Sequence, residues 1–381
     1  IIENVIKSDE ENQLVEIKAE VKGDANEVSV GLPTASLSKL AEKTEATVDV
    51  QTPNGNVAMP SEALKEIVNQ AGKENIEVKI QNKAPEDVKQ SVAAKLAEVL
   101  KDAPAKADGT KFDEKLLDKA TVVDIKISAG NKNITGFNGN SITVSVPVDA
   151  KKYENGKYYR SFILSSDGSL EAKAAHITGG NAEVETSHLS TFVITEEEVS
   201  PFIDIDIVND WFAESATKAF EKKIINGVGG NVFDSKSTFT RAMIVQVLYN
   251  LEGKPATEYE MTFNDVAEDA WYADAVRWAQ STGIVGGYPD GRFDPNGAVT
   301  REQTALILMN YAKYKKLDVT KRNELNEYPD MSKISSWALD AVKWANALKL
   351  IIGSDNKLNP TGDATRAEAV TILVKFIENV K

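Results

Sequence analysis

From Val15 to Val21 apolar residues alternate with charged ones, and this period of two predicts a half-buried strand within residues 1–22. Val28–Pro33 reads as a second, short strand, and Ser36–Lys43 as a helix with Leu37, Leu40 and Ala41 on one face. Alternation returns over Thr47–Gln51, and Pro53-Asn54-Gly55 is a turn signal before Val57 and Met59. A helix opens at Pro60 and carries Leu64, Ile67 and Val68, and Ile76–Ile80 alternates again. Residues 84–107 are rich in Ala, Lys, Glu and Asp, with Val88, Ala93, Leu96 and Leu100 spaced for an amphipathic helix that runs into an exposed connection at 102–109. Strands are then expected at 122–128, 142–146, 158–164, 182–186 and 186–194, separated by Gly and Asn turns. This half therefore predicts a β-rich, sandwich-like module with inserted helices over 1–195, with a break between two lobes near 102–120.

After the acidic, Pro-ended stretch 196–201, expected to be a linker, the pattern changes to helical periods and repeats three times. Each copy opens with an aromatic residue and an aspartate: Phe202 and Asp204, Phe263 and Asp265, Tyr328 and Asp330. A tryptophan follows (Trp211, Trp271, Trp337), then a helix whose inward face is marked by Ala216 in the first copy, Ala275 and Trp278 in the second, and Ala341 and Trp344 in the third. A loop with Gly227, Gly287 or Gly353 leads to an apolar anchor (Phe233, Phe293, Leu358). The copy closes with Thr240-Arg241-Ala242-Met243, Thr300-Arg301-Glu302-Gln303 or Thr365-Arg366-Ala367-Glu368 and a second helix. The copies are expected to span 202–257, 258–322 and 323–381. A period near 60 residues is longer than the roughly 33–47 of common helical solenoids. The fold class is accordingly α+β and multidomain, with the all-α part at the C-terminal end.

Composition narrows the chemistry. A net charge of −14 gives no clustered basic surface for a phosphate backbone, so nucleic acid is not an expected partner. No cysteine is present, which excludes disulfides and thiolate metal sites. The two histidines, His176 and His188, both precede the repeats, so the repeats cannot hold a His-rich metal centre; no cofactor or metal is expected. No apolar run of about 18 residues is present to span a membrane. The start Ile1-Ile2-Glu3 lacks a signal peptide's basic and apolar regions and reads as a mature or truncated start of a longer polypeptide. Asp290-Gly291 and Asp294-Asn296 could suggest calcium, but the EF-hand spacing is missing and turn formation accounts for them.

The ordered triplet of aromatic-x-Asp, Trp, Gly-rich loop and Thr-Arg-x-x resembles the S-layer homology family, with Phe263–Lys316 the fullest copy. That resemblance implies a pseudo-threefold, trimer-like helical domain. Its inter-repeat grooves would bind secondary cell-wall polysaccharide bearing pyruvate ketals and so tether an extracellular S-layer or envelope protein to peptidoglycan. Other surface-layer subunits are further expected partners. The implied ligand-binding set is Arg241, Arg301, Arg366, Asp204, Asp265, Asp330, Trp211, Trp271, Trp337, Gly227, Gly287 and Gly353. Trp278 and Trp344 are expected in the core instead. Val28–Ile194 resembles the β-rich modules that precede wall-anchoring repeats in surface proteins of Gram-positive bacteria.

Two chemical questions stay open at this level. Thr300 with Gln303 and Thr365 with Glu368 have the capping-box spacing, which Thr240 with Met243 lacks. Capping explains the Thr but not the Arg, because a cation in the first helical turn opposes the helix dipole. Either the guanidinium and the free N–H groups at the helix start take a carboxylate of the glycan, or the Arg pairs with an acid of a neighbouring copy. Arg301 and Arg366 sit in fuller motifs than Arg241. The second question is His188-Leu189-Ser190, which resembles the self-cleavage sites of the GAIN and ZU5 families. There Ser190 Oγ would attack the Leu189 carbonyl with His188 as general base. The bland alternative is two positions on one face of a core strand. A cell-wall glycosidase is the other enzymatic alternative, but the N-terminal half is too short for a (β/α)₈ barrel of about 250 residues, and anchoring without catalysis is the expected role.

Overall fold

The computed structural model describes residues 13–100 and 112–380 apart from 20, 22, 24, 203 and 230. The exposed connection expected at 102–109 and the start at Ile1 lie outside the described residues. The chain divides into two compact units, 1–209 and 210–381.

In the first unit the strands are β1 (Leu14–Lys18), β2 (Glu27–Leu32), β3 (Thr47–Thr52), β4 (Gly55–Met59), β5 (Ile76–Lys83) and β6 (Thr121–Ala129). They continue with β7 (Lys132–Ile134), β8 (Ile142–Pro147), β9 (Tyr158–Leu164), β10 (Leu170–Thr178), β11 (Asn181–Thr186) and β12 (Thr191–Glu198). All belong to one hydrogen-bonded sheet in the order β1-β3-β4-β8-β11-β10-β9-β12-β6-β5-β2, with β7 added on β6. Among the described residues only β1–β3 is parallel. The strands thus form one continuous curved sheet rather than the two facing sheets of a sandwich. Alternation places side chains on faces but carries no information about which strand pairs with which. β10 has no clear signal in the sequence, because its Ala, Lys and Glu are poor strand formers; pairing with β9 and β11 on either side holds it.

Three helices follow prolines, whose fixed φ and missing N–H suit a helix start: α1 (Thr34–Lys43) after Pro33, α2 (Ser61–Ala71) after Pro60 and α3 (Glu86–Val99) after Pro85. The stripes Leu37/Leu40 and Leu64/Ile67 share one core with Val50, Ile80, Ile125, Ile127, Phe192 and Ile194. Val88, Val92 and Leu96 of α3 form a second core with Val122, Phe162 and Val193, the alternate positions of the same strands. The central strands β6, β9 and β12 are therefore apolar on both faces because helices cover both. The acidic residues 196–198, which look like a solvated connection, continue β12: Arg160 pairs with Glu197, and Lys152 and Lys157 reach Glu196 and Glu198 at 2.9 Å each.

The second unit is helical: α4 (Ala213–Glu221), α5 (Arg241–Leu251), α6 (Ala273–Ser281), α7 (Arg301–Tyr314), α8 (Leu339–Ala347) and α9 (Arg366–Val380). The second helix of each copy packs on the first helix of the next, α5 on α6, α7 on α8 and α9 on α4. Trp278 and Trp344, at 2% and 0% exposure, fill this packing as expected, Trp278 against Tyr249 and Tyr314, Trp344 against Phe376.

Candidate functional site

The three Thr-Arg stretches meet. Val299 N–H donates to the Phe239 carbonyl, Ala364 N–H to Val299 and Phe239 N–H to Ala364, each at 2.9–3.0 Å, so the residues before the three helices close a hydrogen-bonded ring. The threonines then cap their helices. Thr300 Oγ1 accepts from Gln303 N–H at 3.2 Å while Gln303 Oε1 accepts from Thr300 N–H at 3.1 Å, the full capping box. Thr365 and Glu368 form the same reciprocal pair, at 3.3 and 2.9 Å. Thr240 caps Met243 N–H one way only, at 3.3 Å. Methionine offers no oxygen to return the bond.

Because the ring brings each helix start against the next copy, the arginines reach across copies. Arg241 Nε–H donates to the Phe293 carbonyl at 2.7 Å and Nη2 to Gly286 at 3.4 Å. Arg301 Nε–H donates to Leu358 at 2.9 Å. Arg366 Nε–H donates to Phe233 at 2.7 Å, and its Nη2 bonds the Asn226 carbonyl. Each guanidinium thus holds the carbonyl of the neighbouring copy's apolar anchor residue. The same groups stack: Arg241 lies 4.8 Å over the Phe293 ring and 5.1 Å over Tyr288, and Arg366 lies 5.1 Å over Phe233.

Arg301 and Arg241 differ in charge balance. Arg301 pairs with Glu368 at 3.1 Å, an acid of a neighbouring copy. Arg241 is only 7% exposed, yet among the described residues no carboxylate lies within 4 Å of it. Burial pushes its guanidinium below the ordinary value, against the attraction of Tyr288, Asp294 and Asp265. A guanidinium nonetheless keeps its proton at neutral pH in a protein.

The aspartates hold the loops rather than the arginines. Asp265 accepts Phe293 and Asp294 N–H at 2.8 Å each. Asp330 accepts Leu358 and Asn359 N–H at 3.0 and 2.8 Å. Asp204 belongs to the first unit. Two glycines are sterically required. A Cβ on Gly287 would stand 2.4 Å from the Phe263 ring and 2.7 Å from the Arg292 carbonyl, and Gly353, at φ +72°, would meet the Lys357 carbonyl at 2.2 Å. Gly227 lies in the matching loop of the first copy. Trp211, Trp271 and Trp337 are 66%, 63% and 51% exposed, three large apolar surfaces at equivalent places before α4, α6 and α8. Asp290 is taken up by Arg292 at 2.7 Å, and among the described residues no group of three potential metal ligands gathers.

Sequence reasoning missed the residues that surround Arg241 and Arg301: the carbonyls of Gly286, Phe293 and Leu358, the Tyr288 face, and Gln303 and Glu368 from the adjoining copy. They come from loops and helices about 45–67 positions away, and only the ring closure juxtaposes them. Aligning the three copies against one another, each shifted by one, would have suggested the pairing.

In the first unit, Ser190 Oγ donates to the Leu189 carbonyl at 2.6 Å and lies 3.2 Å from Ser165 Oγ. His188 faces Glu171, with Nε2 at 3.9 Å, and makes no hydrogen bond to Ser190 among the described residues. Ser190 borders a cleft of about 230 Å³ that also includes Lys83, Asp124 and Lys126.

Residues 262–305 and 327–370 match the model of the S-layer homology domain. Among curated proteins, the chain is 27% identical to an amylopullulanase of Thermoanaerobacterium thermosulfurigenes over 68% of this chain and 14% of that protein. It is 26% identical to a surface-layer 125 kDa protein of Lysinibacillus sphaericus over 52% of this chain and 17% of that one. It is also 26% identical to a cellulosome-anchoring protein of Acetivibrio thermocellus over 40% and 35% of the two chains. The chain therefore spans between about a seventh and a third of the length of these relatives. Among the described residues no helix is long and apolar enough to cross a membrane.

Proposed function

From the premise that this chain is an S-layer homology domain protein, we propose that its C-terminal unit tethers a bacterial surface protein to the cell wall, outside the membrane. The relatives carry unlike names, an amylopullulanase, a surface-layer protein and a cellulosome-anchoring protein, and what they share with this chain is a small fraction of their length. A shared segment on otherwise different proteins fits an attachment module better than a catalytic one. The wall partner in this reading is a peptidoglycan-linked secondary polysaccharide, bound in grooves of a pseudo-threefold, trimer-like arrangement that the closed hydrogen-bonded ring favours.

The observation that carries the chemistry is Arg241, a 7% exposed cation with no carboxylate partner within 4 Å among the described residues. An unpaired buried charge costs several kcal/mol, roughly 3–5 where one partner of a buried pair is removed. A ligand carboxylate, such as the pyruvate ketal of a wall glycan, relieves that cost and binds a planar donor fork. The exposed Trp211, Trp271 and Trp337 supply flat apolar faces suited to the C–H faces of sugar rings. Since the chain as a whole carries −14, the attraction has to be local to these grooves.

The test is co-sedimentation of the protein with purified cell walls before and after the secondary polymer is stripped from the peptidoglycan. Retention on native walls and release from stripped walls is the expected result. Equal retention on both refutes polymer binding. Release of soluble sugar from walls by the purified protein would instead argue for an enzyme.

A further inference from the structure

In the second and third copies the fourth residue of the Thr-Arg stretch does two jobs, and the second job lies in the neighbouring copy's groove. As part of its own helix it occupies the capping position. Through the ring it also stands beside the arginine of the preceding copy. Glu368 shows both at once: Oε2 accepts Thr365 N–H at 2.9 Å while Oε1 accepts from Arg301 Nη1 at 3.1 Å. Gln303 occupies the equivalent place for Arg241. Its Oε1 takes Thr300 N–H at 3.1 Å, and its Nε2 donates at 3.2 Å to the hydroxyl of Tyr288, whose ring lies 5.1 Å under the Arg241 guanidinium.

We propose that this single position sets which groove accepts a carboxylate: Gln303 leaves the groove of Arg241 cationic, whereas Glu368 fills the groove of Arg301 with an internal carboxylate. The inference rests on reading the grooves as carboxylate sites and goes beyond it by ranking them. The ranking reverses the order that motif completeness alone suggests, because the complete box of the third copy is what neutralises the arginine of the second. A ligand carboxylate at Arg301 must either displace Glu368 or bind beside it against like-charge repulsion. At Arg241 the residue in Glu368's place is a neutral amide that reaches Tyr288, the Asp265 and Asp294 carboxylates that attract the cation lie beyond 4 Å, and the aromatic faces of Tyr288 and Phe293 already desolvate it. One unit charge a few ångströms from the ligand is worth at least about tenfold in affinity, even where solvent screens it strongly.

The experiment follows the side-chain Nε–Hε signals of Arg241 and Arg301 in the full chain by NMR; both groups donate to carbonyls, at 2.7 and 2.9 Å, which slows their exchange with water. The titrant is a methyl pyranoside carrying a pyruvate ketal, with its methyl ester as the uncharged control. In the wild type the Arg241 signal should saturate at about tenfold lower ligand concentration than the Arg301 signal. Glu368→Gln should bring the two within about threefold. This variant keeps the helix cap, since Gln303 makes the same cap in the second copy. The reciprocal Gln303→Glu should weaken binding at Arg241 about tenfold and leave Arg301 unchanged. If both signals respond equally in the wild type and Glu368→Gln changes neither, the neutralisation idea is overturned while carboxylate binding stands. If neither signal responds, or the ester binds as well as the acid, carboxylate recognition itself fails.

Discussion

Asp330 offers a quantitative test of how the loops that frame the arginines are held. Its two carboxylate oxygens each accept one backbone N–H, from Leu358 at 3.0 Å and Asn359 at 2.8 Å, and the residue is 7% exposed. Hydrogen bonds to a charged acceptor contribute about 1.5–3 kcal/mol each, and a buried N–H left without a partner costs about 1–3 kcal/mol. Asp330→Ala should therefore destabilise the second unit by about 3 kcal/mol after some rehydration. Asp330→Asn should cost nearly as much, because its amide replaces one acceptor with a donor that faces another donor. All five tryptophans lie within 210–381, so tryptophan fluorescence during urea unfolding of the full chain reports this unit. With a slope of about 2 kcal/mol per molar, the midpoint should fall by roughly 1.5 M. The pH dependence has a definite sign. Burial raises the Asp330 pKa, but the two backbone N–H groups outweigh it and hold the carboxyl below its usual value. A carboxyl depressed in the folded state contributes stability that is present above the unfolded value, near 4, and is lost as pH falls through the folded value. The gap between wild type and Asp330→Ala should be constant from pH 7 to about 5 and narrow below about 4. A midpoint for Asp330→Asn within about 0.3 M of wild type would refute the clamp.

Three further outcomes are expected. Gly287→Ala forces a Cβ to 2.4 Å from the Phe263 ring and should cost about 1–3 kcal/mol in the same urea assay, whereas Gly286→Ala, with open space around its Cβ, should cost less than about 1. Burial pushes the Tyr153 phenol up to about 12, so ultraviolet titration should show a late-ionising tyrosine that Tyr153→Phe removes. The folded-state value lies above the unfolded value near 10, so this group's contribution is intact below pH 10 and lost as pH rises through about 12. Acrylamide should quench two populations of tryptophan, the accessible Trp211, Trp271 and Trp337 and the protected Trp278 and Trp344; soluble wall polymer should shield the first population if these faces meet the glycan.

The sequence alone determined the parts of this protein that depend on local periodicity. Period-two alternation located most strands of the first unit, and apolar stripes at helical spacing located α1 and α2. The threefold pattern of Trp, Gly-rich loop and Thr-Arg located the capping threonines and the burial of Trp278 and Trp344. These features follow from backbone geometry over a few residues, which the chain specifies directly. Tertiary structure decided what depends on partners distant in the chain. It joined the strands into one sheet, recruited the weakly patterned β10 and turned the acidic run 196–198 into paired strand positions. It also assigned Asp265 and Asp330 to loop N–H groups rather than to arginines. Above all, closure of the ring set Gln303 beside the surroundings of Arg241 and Glu368 against Arg301. The motif spells the arginine three times alike, but its charge environment is supplied by the next copy.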